Sequence, residues 1–144
     1  MNTVAYRLTL WPYGEDHGGT PLRALVSYHR SDPYCVRLTF LSARGGTTVE
    51  WQFSRDLLAC GLITHAGVGD VRIEPALRDA DMELGVTLTL VSDGDSFPLW
   101  TPSAPLWRFL RDTYALVPIG AESGRLDIDE AIDRLLGNPG EVTS

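Results

Sequence analysis

Three histidines and two cysteines are the side chains in this sequence best suited to bind a metal or attack a substrate, so their spacing decides the first question. His17, His29 and His65 fall in two loops and at a strand end, and none stands three or four residues from another, as two ligands on one helical face would. No metal site is signalled. Cys35 and Cys60 form no CxxC and lie in no nucleophile motif, so they are expected to be two buried thiols with no disulfide and no zinc. GVGD at 67–70 has the glycines of a phosphate loop but no Lys-Ser/Thr after them, and the chain contains no lysine at all. Carboxylate pairs such as Glu50 with Asp70 could share acid–base work only inside one cleft, which spacing does not establish. No catalytic, cofactor-binding or metal-binding residue is assigned, no cofactor is implied, and the sequence does not point to an enzyme.

The most pointed charged pair is Arg55-Asp56 in VEWQFSRDLLACGL, residues 49–62. Val49, Trp51 and Phe53 alternate as a half-buried strand, and after Ser54 the period changes to the 3.6 residues of a helix carrying Leu57, Leu58 and Leu62. Ser54 suits the N-cap, and Asp56 suits the positive end of the helix dipole. Arg55 is expected to reach back to Glu50 or Asp70 and fasten the corner. Gly61 is expected to stop the helix.

The surrounding elements follow the same two periods. Val4, Tyr6, Leu8 and Leu10 share one phase of a first strand, Leu22, Ala24, Val26 and Tyr28 of a second, and Tyr34, Val36, Leu38 and Phe40 of a third. GEDHGG at 14–19, Ser31-Asp32-Pro33 and Arg44-Gly45-Gly46 turn the chain between strands. A short strand is expected over Asp70 to Glu74, ended by Pro75, followed by strands at 84–91 and 95–101, with Pro98 marking an edge or a bulge. Leu106, Phe109, Leu110 and Tyr114 give residues 103–116 an apolar helical face opposite Arg108, Arg111 and Asp112. Ile128, Ile132, Leu135 and Leu136 do the same for 127–136, with GEVTS frayed beyond. These elements predict one α+β domain over 1–144, of mostly antiparallel sheets in about seven strands with helices packed on them. Trp51 is placed in the sheet core and Trp107 on a helix face. Leu25, Leu41, Val91 and Trp100 stand where polar residues are expected, which suggests that these faces are covered, by helices of the chain or, as a second explanation, by another copy of it.

A chain of 144 residues can bury a core without staples. Twelve arginines face nineteen carboxylates for a net charge of −7, which argues against tight binding to nucleic acid or anionic membrane. Six acidic residues from Glu122 to Glu141 meet only Arg125 and Arg134, giving an acidic end that could face a basic partner. The N-terminus MNTVAYRLTL carries no basic leader and apolar block, and no run is long enough to span a bilayer, so a cytoplasmic protein without an integral membrane segment is expected.

DPYCVRLTF at 32–40, VEWQFSRDLLACGL at 49–62 and GVGDVRIEP at 67–75, in this order and spacing, resemble the SsgA-like family of sporulation and cell-division proteins. The closing LDIDEAIDRLL agrees with it. The motif residues are Asp32, Pro33, Tyr34, Val49, Glu50, Trp51, Phe53, Arg55, Asp56, Leu57, Leu58, Gly61, Gly69, Asp70 and Val71, read as structural, with the partner-binding residues unassigned. The resemblance implies a whirly-like fold, a homotrimer, and a non-enzymatic regulator of sporulation-specific septation. Its partners would be division-machinery proteins, the tubulin-like GTPase FtsZ and other family members, met at the septum. The likeness to whirly proteins also raises single-stranded nucleic-acid binding as the alternative, which the charge opposes.

Overall fold

Antiparallel pairing between neighbours in sequence builds most of the molecule. A computed structural model describes residues 2–13, 20–41, 49–78 and 82–120. The strands are β1 (Thr3–Pro12), β2 (Leu22–His29), β3 (Asp32–Phe40), β4 (Val49–Ser54), β5 (Val71–Arg78), β6 (Glu83–Ser92) and β7 (Asp95–Pro102). The helices are α1 (Arg55–Gly61) and α2 (Ser103–Leu116). The predicted α+β class stands. The loop at 14–19, the turn at 44–46 and the helix predicted at 127–136, with the acidic end around it, lie outside the described residues.

Strand order is β4-β3-β2-β1-β7-β6-β5, and β1 serves two leaves. Residues Thr3 to Leu10 pair with β2, whereas Trp11 and Pro12 pair with Trp100 and Leu99 of β7. The two leaves and both helices share one core, in which Leu10, Val36, Leu38, Leu58, Ile73 and Phe109 are fully buried. Helix α2 packs its Leu106, Phe109 and Leu110 face on β1 and β6, and Phe109 meets the Tyr6 ring edge-on at 6.1 Å.

Two expectations need correction. The fifth strand does not stop at Pro75 but runs on to Arg78. The amide of Val91 donates to the carbonyl of Asp70, and alternate residues of β5 turn the other way, with Ile73 bonding Ala66 outside the sheet. Pro75 shares the phase of Ile73, so its missing N–H faces the open edge and costs no bond to β6. Pro98 obeys the same logic: its carbonyl accepts from Tyr13, on the β1 side, where β1 is ending. Helix α1 ends at Gly61 as expected, and Leu62 caps it in the right-handed region. The role of Gly61 is proximity, because a Cβ there would lie 2.4 Å from Cβ of Ile73.

Trp100 is the second. It is buried, but the cover comes from its own chain. The indole N–H donates to the Ala76 carbonyl at 2.8 Å, Arg78 sits 5.1 Å over the ring, and a Cβ on Gly85 would come within 2.4 Å of it. Leu25 and Val91 are half-buried and Leu41 is exposed. Trp100 therefore gives no support to the inference that a second copy covers this outer phase.

Candidate interaction surface

The corner around Arg55 resolves into a buried lock. Ser54 accepts from the Leu57 amide at 3.0 Å, as an N-cap should, and Asp56 is exposed in the first turn of α1. Arg55 turns inward instead of back to Glu50 or Asp70, and is only 1% exposed. Its Nη1 donates to the carbonyls of Thr113 and Val117, at 3.1 and 2.6 Å. These carbonyls close the C-terminal end of α2, where orphan acceptors and the negative pole of the helix favour a cation. The guanidinium lies 5.0 Å from the centre of the Tyr28 ring and 4.5 Å from that of Tyr114. Tyr28 in turn donates its hydroxyl to the carbonyl of Pro33. A cation beside the positive pole of its own helix is out of place by the dipole rule, and that was the sequence signal that Arg55 serves another element.

The other motif residues divide between this scaffold and the surface. Phe53, Leu58 and Val71 are buried, and Leu57 and Trp51 are half-buried, so Trp51 stands at the margin of the core and not within it. Asp32 binds Arg37 at 3.2 Å, Gly69 accepts from Arg72 at 3.3 Å, and Glu50 accepts from Gln52 at 3.0 Å. Asp70 is exposed; Tyr34 at 43% and Val49 at 53% are open to solvent despite their place in an apolar phase. The structure thus does not bring Glu50, Arg55 and Asp70 together.

Among the described residues, the histidines and cysteines do not converge on a site either. His29 is exposed and bonded to Thr3, and His65 is exposed on the loop after α1, whereas His17 lies outside the described residues. Among the described residues no three His, Cys, Asp or Glu side chains meet as metal ligands would. Burial, with the Asp32 carboxylate nearby, pushes the Cys35 thiol up and keeps it protonated. Cys60 is exposed, against the expectation of two buried thiols. Tyr6 donates its hydroxyl to Asp112, which holds that carboxyl below its usual range and raises the phenol. Asp112, read from the sequence as part of the solvent face of its helix, is thereby tied to β1.

What does converge is apolar. Pro12, Tyr13, Leu22, Phe40, Val49, Trp51, Leu90, Phe97 and Leu99, with Pro98 and two serines, line an open groove of about 940 Å³ without a charged side chain among them. Leu22, Val49 and Phe97 are 42%, 53% and 50% exposed. Sequence reasoning missed this groove by treating each apolar series as core to its end. The clue lay in the register: Leu10 pairs with Leu22, and Phe40 with Val49, so the series run out together at one end of the leaf.

A family model described as "Streptomyces sporulation and cell division protein, SsgA" matches residues 22–122, which hold all three motifs and both helices. The chain belongs to this SsgA family. The sporulation-specific cell division protein SsgB of Salinispora tropica is 40% identical over 136 residues, 93% of each chain. SsgB of Streptomyces coelicolor is 36% identical over 137 residues, 94% of this chain and 98% of that one. The crystal structure of an SsgA-like sporulation-specific cell division protein from Thermobifida fusca matches with a TM-score of 0.76 at 37% identity, over 92% of this chain and 94% of that one. Among the described residues of this SsgA-family chain, no helix is long and apolar enough to cross a membrane.

Proposed function

We propose that the chain is a non-catalytic adaptor of sporulation-specific cell division, acting as a cytoplasmic homotrimer that helps to position FtsZ and the forming septum. The observation that carries this reading is the family match across the whole scaffold, from β2 to the end of α2. The open apolar groove is the kind of surface that binds another protein, being contiguous, uncharged and only partly covered. Several copies of a modest site on one oligomer raise avidity for a filament of repeated subunits, because each contact after the first is effectively intramolecular. Turnover and cofactors have no part in such a mechanism.

The test is to tag the chain and FtsZ with two fluorophores in a sporulating host and follow both through septation. The chain is expected at septal sites before the FtsZ ring ladders form, and its deletion is expected to scatter those rings. Normal ring spacing in the deletion strain would overturn the reading.

A further inference from the structure

One patch of the outer sheet face is cationic on a chain whose net charge is −7. Arg7 of β1 and Arg23 of β2 are both exposed. Thr9 pairs with Arg23 and Leu25 with Arg7, so the two arginines share the face turned away from the core and are diagonal neighbours, about 7 to 8 Å apart at Cα. Like charges that close repel, and only Thr9 and Leu25 stand between them. Arg37, Arg78 and Arg111 each have a carboxylate within 4.0 Å, whereas among the described residues neither Arg7 nor Arg23 has an ion pair or a side-chain hydrogen bond. Glu50 shares the row of Arg7, Leu25 and Thr39 but lies three strands from Arg7, about 14 Å at ordinary strand spacing and beyond the Debye length of physiological salt. With Thr9 and Thr20 the arginines border a hollow of about 950 Å³, and no carboxylate is among the described residues that line it. Leu22 and Leu41, each 42% exposed, add apolar surface to it, and Leu22 also lines the groove described above.

We propose that this hollow binds an acidic segment of a protein partner, one in which carboxylates neighbour apolar residues. A guanidinium donates two parallel hydrogen bonds to a carboxylate, and the hydroxyls of Thr9 and Thr20 offer further donors. A carboxylate held between Arg7 and Arg23 also relieves their mutual repulsion, which favours the bound state. Leu22 and Leu41 supply the apolar contact, and Leu22 continues it toward the groove. A phosphate ion would use the arginines and leave the leucines and most of the volume idle. A nucleic-acid strand would set many charges against a chain of net charge −7 that offers two cations here, although its affinity grows with the number of cations that replace counterions. A short acidic segment uses both halves of the site. That the segment belongs to a protein rests on the adaptor reading proposed above, and the inference specifies the chemistry of the partner and the residues that meet it.

The test titrates the full chain into a fluorescein-labelled octapeptide of alternating Asp and Leu and reads binding by fluorescence anisotropy, with circular dichroism to show that each variant is folded. Binding is expected to weaken as salt is raised, and the same peptide with Ser in place of Asp is expected to bind at least roughly 10-fold more weakly. Arg7→Ala and Arg23→Ala are each expected to raise the dissociation constant about 3- to 10-fold, and Arg7→Glu with Arg23→Glu at least about 30-fold. Arg108→Glu reverses an exposed charge on α2, away from the hollow, and is expected to change it less than about 2-fold. No binding at millimolar peptide, or binding that survives the double reversal, would overturn the site. An octathymidylate that binds more tightly than the acidic peptide and depends on the same arginines would assign the site to nucleic acid and overturn the proposal. Each of these failures leaves the adaptor reading standing. Normal FtsZ-ring spacing in the deletion strain, with peptide binding intact, would instead overturn that reading and leave the acidic-peptide site.

Discussion

The two ends of the molecule's apolar interior are made from the same strands in the same phase, yet one is sealed and the other is open. At the sealed end Tyr28, Val36 and Phe53 lie under the helices and are at most 8% exposed. At the open end Val49, four residues back along the strand of Phe53, is 53% exposed. Residue type does not separate them. The difference is where the helices attach: α1 begins directly after β4 and α2 directly after β7, with no linker, so each falls across the finishing end of its strand. The groove is lined from the starting ends of those two strands, Val49 and Trp51 in one and Ser96 to Leu99 in the other. Burial in an alternating strand thus depends on which element arrives to cover it.

The comparison breaks most directly at Arg55, which ties both helices together. Arg55→Ala would remove a fully buried side chain, leave the carbonyl of Val117 short of a donor while that of Thr113 keeps the Val117 amide, and open a gap between Tyr28 and Tyr114. The expected loss is about 3 to 5 kcal/mol in urea unfolding. Arg55→Lys would recover only part of it, since an ammonium lacks the planar face that stacks between two rings. A variant as stable as the wild type would show that the helices seal their end without the lock.

Gly61→Ala sharpens the same end by a smaller amount. The added methyl would meet Ile73 Cβ at 2.4 Å and Cγ2 at 2.5 Å, where α1 crosses β5. Overpacking of this kind costs about 1 to 3 kcal/mol. Alanine is otherwise the better helix former, so a stabilised protein would mean that β5 can yield at its open edge.

Tyr6→Phe tests the remaining tie between α2 and β1 through its pH dependence. Asp112 has a folded pKa below its unfolded value, so its contribution is complete above that value and is lost as pH falls through the folded one. Tyr6 has a folded pKa above its unfolded value, so its contribution is complete below that value and is lost as pH rises through the folded one. Melting temperatures of wild type and Tyr6→Phe are expected to differ near neutrality and to converge toward acid. A constant offset down to about pH 2 would show that Asp112 owes nothing to the phenol.

The sequence revealed the sealed end better than the open one, and the reasons are physical. Period alone set β1 to β4 and α2 in place, because a half-buried strand and a half-buried helix each impose a repeat on their residues. It could not show that Pro75 and Pro98 turn their missing donors out of the ladder, which depends on the phase of pairing and not on local preference. It assigned Arg55 to near neighbours because charge partners were sought along the chain, whereas the acceptors were backbone carbonyls 58 and 62 residues away. Carbonyls have no signature in a sequence. The groove escaped for a related reason: apolar side chains at a strand's end look alike whether or not a helix lies over them.

The smallest expected effect carries the other half of the comparison. Val49→Ser replaces an apolar residue of the inner phase, and if that phase were core throughout it would cost as much as a change at Phe53. With Val49 more than half exposed and neither α1 nor α2 above it, the folded monomer is expected to lose no more than about 0.5 kcal/mol, the scatter of ordinary surface substitutions. Unfolding must be followed at concentrations too low for association, so that any role of the groove between copies does not enter. A loss of several kcal/mol there would mean that the open end is already closed within the single chain, and the distinction between the two ends would fail.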